Sequence, residues 1–170
     1  MQRTCRHVLV GLIALILLCS AGCAFAEEQD AIIEQVWVLC YPDSEVNIRE
    51  RPTKKSFAFG AMSCGNVART DNKTKNGYLH LVDLAAEVTD GWISKKYIVY
   101  EEPEVISAEA TISSNGRVAC RKWINGKIKG WIENGEKLIV YAMTSEWATT
   151  SRGYISSQYL LLRDDNGQEK

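Results

Sequence analysis

The chain has 170 residues, with 20 lysines and arginines against 21 aspartates and glutamates, and a formal net charge of -1. Binding to nucleic acid calls for a basic stripe that neutralises phosphates, and none is present; Lys54-Lys55 reads as a solvated turn. Two histidines and no Cys-x-x-Cys spacing leave no zinc set, and no glycine-rich loop precedes a helix to cradle phosphate, so no metal or cofactor is expected.

The first element is a leader over residues 1–26. Arg3 and Arg6 supply a positive start, Val8 to Leu18 a short apolar core and Ala24-Phe25-Ala26 a small-x-small cleavage site. The apolar run is shorter than the roughly 20 residues that span a hydrocarbon core, which argues against a membrane anchor. Cleavage after Ala26 gives a secreted or cell-envelope protein and removes two arginines and no acid, taking the net charge from -1 to -3. Ser20-Ala21-Gly22-Cys23 offers an alternative, an acylated lipoprotein cysteine, although leucine is missing at the position of Ser20.

The remainder is a near-repeat. Gly91-Trp92-Ile93-Ser94-Lys95-Lys96-Tyr97-Ile98 aligns with Gly153-Tyr154-Ile155-Ser156-Ser157-Gln158-Tyr159-Leu160. Upstream, Val46-Asn47-Ile48-Arg49 aligns with Val118-Ala119-Cys120-Arg121, Gly60 with Gly130 and Gly65 with Gly135. The change of spacing between these matches places a longer insertion in the first copy, between Thr70 and Glu87. Short apolar or alternating runs such as Val36 to Leu39, Tyr78 to Val82 and Leu138 to Tyr141, separated by Gly, Asn and Asp, predict strands. No stretch sustains helical periodicity, so the expectation is all-β, a sandwich or small barrel in each copy. The acidic segment 101–105, with Pro103, reads as a linker, and 163–170 as a polar tail.

Three cysteines follow the leader, Cys40, Cys64 and Cys120, so at least one is unpaired. Cys40 and Cys64 end two predicted strands, and a disulfide between them would stabilise by about 3 kcal/mol on the chain-entropy model. The alternative is a pair of buried reduced thiols. In the second copy Asn134 stands opposite Cys64, which leaves Cys120 as a core thiol.

Val46-Asn47-Ile48-Arg49-Glu50-Arg51-Pro52, the turn at Cys64-Gly65-Asn66, and Gly91-Trp92-Ile93 with Tyr97-Ile98 resemble the opening, central turn and closing motif of the bacterial SH3 domain. The second copy departs from the pattern with Ala119-Cys120, Trp123 and Tyr154, which puts its ligand in doubt. The resemblance implies two small SH3-like half-open barrels in tandem, over 34–100 and 106–162. It implies binding of cell-wall peptidoglycan or a peptide in a surface groove, and no reaction.

His80 lies in an alternating run with no cysteine in a catalytic context, so no nucleophilic pair is expected. Aromatic and basic residues near predicted loops are the binding candidates: Tyr41, Arg49 and Tyr78 in the first copy, Arg121, Trp123 and Trp147 in the second. Trp92, Tyr97, Tyr154 and Tyr159 recur at matched positions and are assigned to barrel cores. Trp123 and Trp131, two large apolar groups in a short stretch, suggest the alternative, a structural protein docking to another exported protein.

Overall fold

The structure is a computed structural model and describes residues 33–85 and 88–162. The leader over 1–26, the alternative at Cys23 and the tail over 163–170 lie outside the described residues. The fold is all-β, with two seven-stranded antiparallel sheets and no α-helix among the described residues.

The first sheet contains β1 (Glu34–Val38), β2 (Glu45–Arg49), β3 (Ala58–Ser63), β4 (Val67–Lys75), β5 (Tyr78–Ala85), β6 (Val88–Ser94) and β7 (Ile98–Val99), with a 3-10 turn at Lys95–Tyr97. The second contains β8 (Glu104–Ile112), β9 (Val118–Arg121), β10 (Ile128–Ile132), β11 (Lys137–Met143), β12 (Trp147–Thr150), β13 (Tyr154–Ser156) and β14 (Leu160–Leu162), with the matching 3-10 turn at Ser157–Tyr159. The strand order is β3-β2-β6-β5-β4-β1-β7 in one and β10-β9-β13-β12-β11-β8-β14 in the other, the same topology twice.

Alternation drives these strands. In β2, Val46 and Ile48 point inward between exposed neighbours, and in β11 Leu138, Val140 and Ala142 do the same. Met62 on β3 and Ile98 on β7 come from opposite ends of the first sheet yet share one core, so the sheet curls round on itself into a half-open barrel. Ile132 on β10 and Leu160 on β14 close the second core in the same way. Matched register shifts in β4, between Thr70 and Thr74, and in β11, between Val140 and Ala142, supply local bending. Fully buried Leu79, Leu81 and Ile93 each contribute on the order of 1.5–3 kcal/mol relative to exposure.

The insertion expected in the first copy has a location. Leu81 pairs with Gly91 across the β5–β6 hairpin, whereas at the corresponding place Thr150 closes directly on Gly153 through a backbone hydrogen bond of 2.9 Å. The extra residues lengthen the hairpin, and among them Leu84 packs against the core of the first barrel.

Two matched glycines follow from close packing. A Cβ on Gly91 would lie 2.6 Å from Ile48 and 2.7 Å from Phe59, and one on Gly153, whose φ is +148°, would lie 2.7 Å from the carbonyl oxygen of Arg121 and collide with Cys120. Only glycine allows β6 and β13 to pass so near the neighbouring strand.

A third cluster joins the two barrels. Leu39 and Val99 of the first and Ala142 and Tyr154 of the second are buried together, with Tyr41, Tyr97, Ile124 and Trp147 packed round them. Polar contacts tighten this seam. The Tyr154 hydroxyl donates to the Leu39 carbonyl oxygen (3.1 Å), the Ile124 N–H donates to the Lys96 carbonyl oxygen (3.2 Å), and Glu101 accepts from both the backbone N–H (3.0 Å) and the hydroxyl (2.5 Å) of Ser145.

Candidate functional site

The second barrel carries a groove of about 580 Å³ between the loop before β9, the hairpin β9–β10 and the 3-10 turn after β13. Arg117, Arg121, Trp131, Trp147, Gln158 and Tyr159 line it, and no acidic side chain does. At its mouth the Arg117 guanidinium lies over the Trp131 ring, 4.6 Å from the centroid, and the ring is 45% exposed. Stacking holds the guanidinium plane and leaves its N–H fork free. Among the described residues Arg117 meets no carboxylate.

Each expected binding residue has a definite place. Trp147 opens β12 opposite Ser156, half-buried, with part of its surface in the groove. Tyr78 opens β5 opposite Ser94, the same register in the first barrel, and is half-buried. Trp123 packs on Gly126 beneath the Lys96 ammonium, which sits 4.0 Å from its ring centroid. Tyr41 stands in the seam, edge-on to Tyr154 at 5.8 Å and to Tyr141 at 6.2 Å.

The two arginines act chiefly on their own loops. Arg49 donates to the carbonyl oxygen of Ser56 and Arg121 to that of Gly126, both at 2.7 Å, so each pins the turn that follows its strand. Arg121 still lines the groove wall. Arg117 was not among the candidates from sequence, and Trp131 figured only in the docking alternative. Their signal lay in hairpin register: Trp131 pairs with Ala119, and Arg117 stands two residues before it on the same face.

The expected disulfide is absent: Cys40 and Cys64 are free thiols. The two thiols are in hydrogen-bonding contact, and the Ser44 carbonyl oxygen lies within reach of Cys40 as a second acceptor (3.2 Å), so its single proton serves one or the other at a time. The Cys40 thiol lowers the pKa of Cys64 to about 6 by hydrogen bonding; burial opposes the shift, and the N–H groups of Cys40 and Gly65 add to it. The same contact, with burial, pushes Cys40 upward. Cys120 is buried and unpaired, and donates to the Arg152 carbonyl oxygen at 2.9 Å.

His80 has two carboxylate neighbours. Its Nδ1 lies 3.1 Å from both oxygens of Asp71, its Nε2 lies 3.6 Å from Asp90, and its ring packs on Trp92 at 4.8 Å between centroids. Asp71 also receives Lys73 at 2.8 Å. The histidine is thus held between two carboxylates and against an aromatic face.

No family model matches the sequence, and no curated protein matches it. Two solved structures resemble the fold, NlpC1 and NlpC2 from Trichomonas vaginalis, each 13% identical, with TM-scores of 0.31 and 0.32. The matches cover 75% and 76% of this chain and 45% and 48% of theirs, so the chain spans just under half the length of either protein.

Proposed function

We propose that the chain is an exported, non-catalytic binding protein of bacterial SH3 type that recognises cell-wall peptidoglycan or a peptide through the groove of its second barrel. The observation that carries this reading is the Arg117–Trp131 stack at the mouth of a groove lined by no carboxylate. A guanidinium held flat with a free N–H fork suits a ligand carboxylate bidentately, and the rings of Trp131, Trp147 and Tyr159 suit its apolar parts. The bacterial SH3 motifs support the assignment because they fall on equivalent strands and turns of both sheets. Export rests on the leader; the secreted protein should begin at Glu27 on N-terminal sequencing.

The test is retention of the purified protein by peptidoglycan sacculi, compared with Arg117→Ala and Trp131→Ala. Both side chains are exposed, so the variants keep the fold. Retention lost in both supports the reading, and retention unchanged in both removes the groove from it. Docking to another exported protein is the second reading. It is favoured by edge strand β10, on which Ile128 and Trp131 are exposed. A co-purifying protein released by Ile128→Asp, with no retention on sacculi, would select it.

A further inference from the structure

The groove does not stand alone. A second cavity of about 650 Å³ lies between the barrels, and Trp147 is in the walls of both. The first barrel contributes Lys95, Lys96 and Tyr100 to this cleft, and the second contributes Trp123 and Glu146. Tyr100 is 54% exposed, so its ring is available to a ligand.

The charges of the cleft sort into used and unused. Lys96 is held over Trp123, and Glu101 accepts two hydrogen bonds from Ser145. Lys95 and Glu146 form no ion pair among the described residues, and both are exposed. The groove thus offers an unpaired arginine, and the cleft offers an unpaired lysine and an unpaired glutamate beside aromatic faces. Either cavity is of the size that holds one small ligand. A molecule that uses both has to be a chain.

We infer that groove and cleft form one track bent round Trp147, which holds an extended peptide carrying both acidic and basic side chains. A carboxylate of the peptide meets Arg117 in the groove, and charges of both signs meet Lys95 and Glu146 in the cleft. Trp147 supports the peptide between them. This deepens the peptide reading of the groove and rests on it.

The test uses the full chain and calorimetric titration with two synthetic peptides, the tripeptide Glu-Ala-Lys and the nine-residue peptide of three such units. The tripeptide fills one cavity only, and the nine-residue peptide reaches both. The longer peptide should bind at least about tenfold more tightly. Arg117→Ala should weaken both peptides, whereas Lys95→Glu should weaken the longer one by about tenfold and leave the tripeptide unchanged. If Lys95→Glu leaves the longer peptide unaffected while Arg117→Ala weakens it, the groove stands and the track is overturned. If neither peptide binds while sacculi still retain the protein, the peptide track is overturned and wall binding stands. Failure on peptides and sacculi together overturns the binding reading itself.

Discussion

The hydroxyl of Tyr154 donates to the carbonyl oxygen of Leu39 across 3.1 Å of space and 115 positions of chain. Its counterpart in the first copy is Trp92, which packs on His80 at the outside of the first barrel. The change from tryptophan to tyrosine therefore has a structural reason: the second copy needs a hydroxyl there to reach into the first. Burial pushes the phenol pKa up, which keeps the donor proton in place through the neutral range.

Removing that hydroxyl tests the seam. Tyr154→Phe leaves a buried carbonyl oxygen without its partner and should lower unfolding free energy by about 1–3 kcal/mol in urea denaturation. Tyr154→Ala also empties the shared cluster, and should lower stability by about 3–5 kcal/mol. The seam is refuted as a joint core if Tyr154→Ala unfolds at the wild-type midpoint.

The close approach at Gly153 makes a sharper prediction. With φ at +148° and Cys120 and Arg121 against the missing Cβ, Gly153→Ala should lose about 2 kcal/mol or more. Gly135→Ala is the comparison, because Gly135 shares a positive φ but has open space around it, and strain alone should cost about 1 kcal/mol. Thermal melts of the two variants should separate them.

The thiol pair predicts a pH profile. Cys64 ionises near pH 6, so its alkylation by iodoacetamide in a Cys120→Ser background should climb between pH 5 and 7 and then level off. In Cys40→Ala the donor is gone and the profile should move toward the ordinary thiol range. Mass spectrometry of the modified peptide reads both, and a wild-type rate still rising steeply above pH 8 would contradict the shared hydrogen bond.

The pinned turns predict that Arg121→Ala lowers stability by about 1.5–3 kcal/mol, the range for a hydrogen bond to a charged group. Arg49→Ala should cost a similar amount, because its bond to Ser56 has the same 2.7 Å length. Guanidine denaturation at matched pH would show the parallel. A stability unchanged in both would return the two arginines to a purely ligand-facing role.

Much of the fold was legible because its demands are local. Val46 and Ile48 alternate with polar neighbours, Gly65 and Gly135 have φ near +80°, and Gly91 and Gly153 recur where no Cβ fits. These requirements repeat in both copies, so the repeat itself announced two like sheets. The site was harder to read because its contacts are not local. Arg49 and Arg121 look like free cations until the turns after them close, and Tyr41 looks like a loop aromatic until Tyr154 arrives from the other barrel. Arg117 and Trp131 meet only once β9 and β10 are in register.

The seam also makes matched surfaces of the two copies unlike. Lys96, the counterpart of Gln158 in the open groove, lies over Trp123 and holds the Ile124 N–H through its carbonyl oxygen. The surface that the second barrel offers to solvent is, in the first, the seat of its neighbour. Tandem repeats commonly gain avidity by gripping a polymer at two places; in this pair the first barrel's match to the open groove is taken up by the seam.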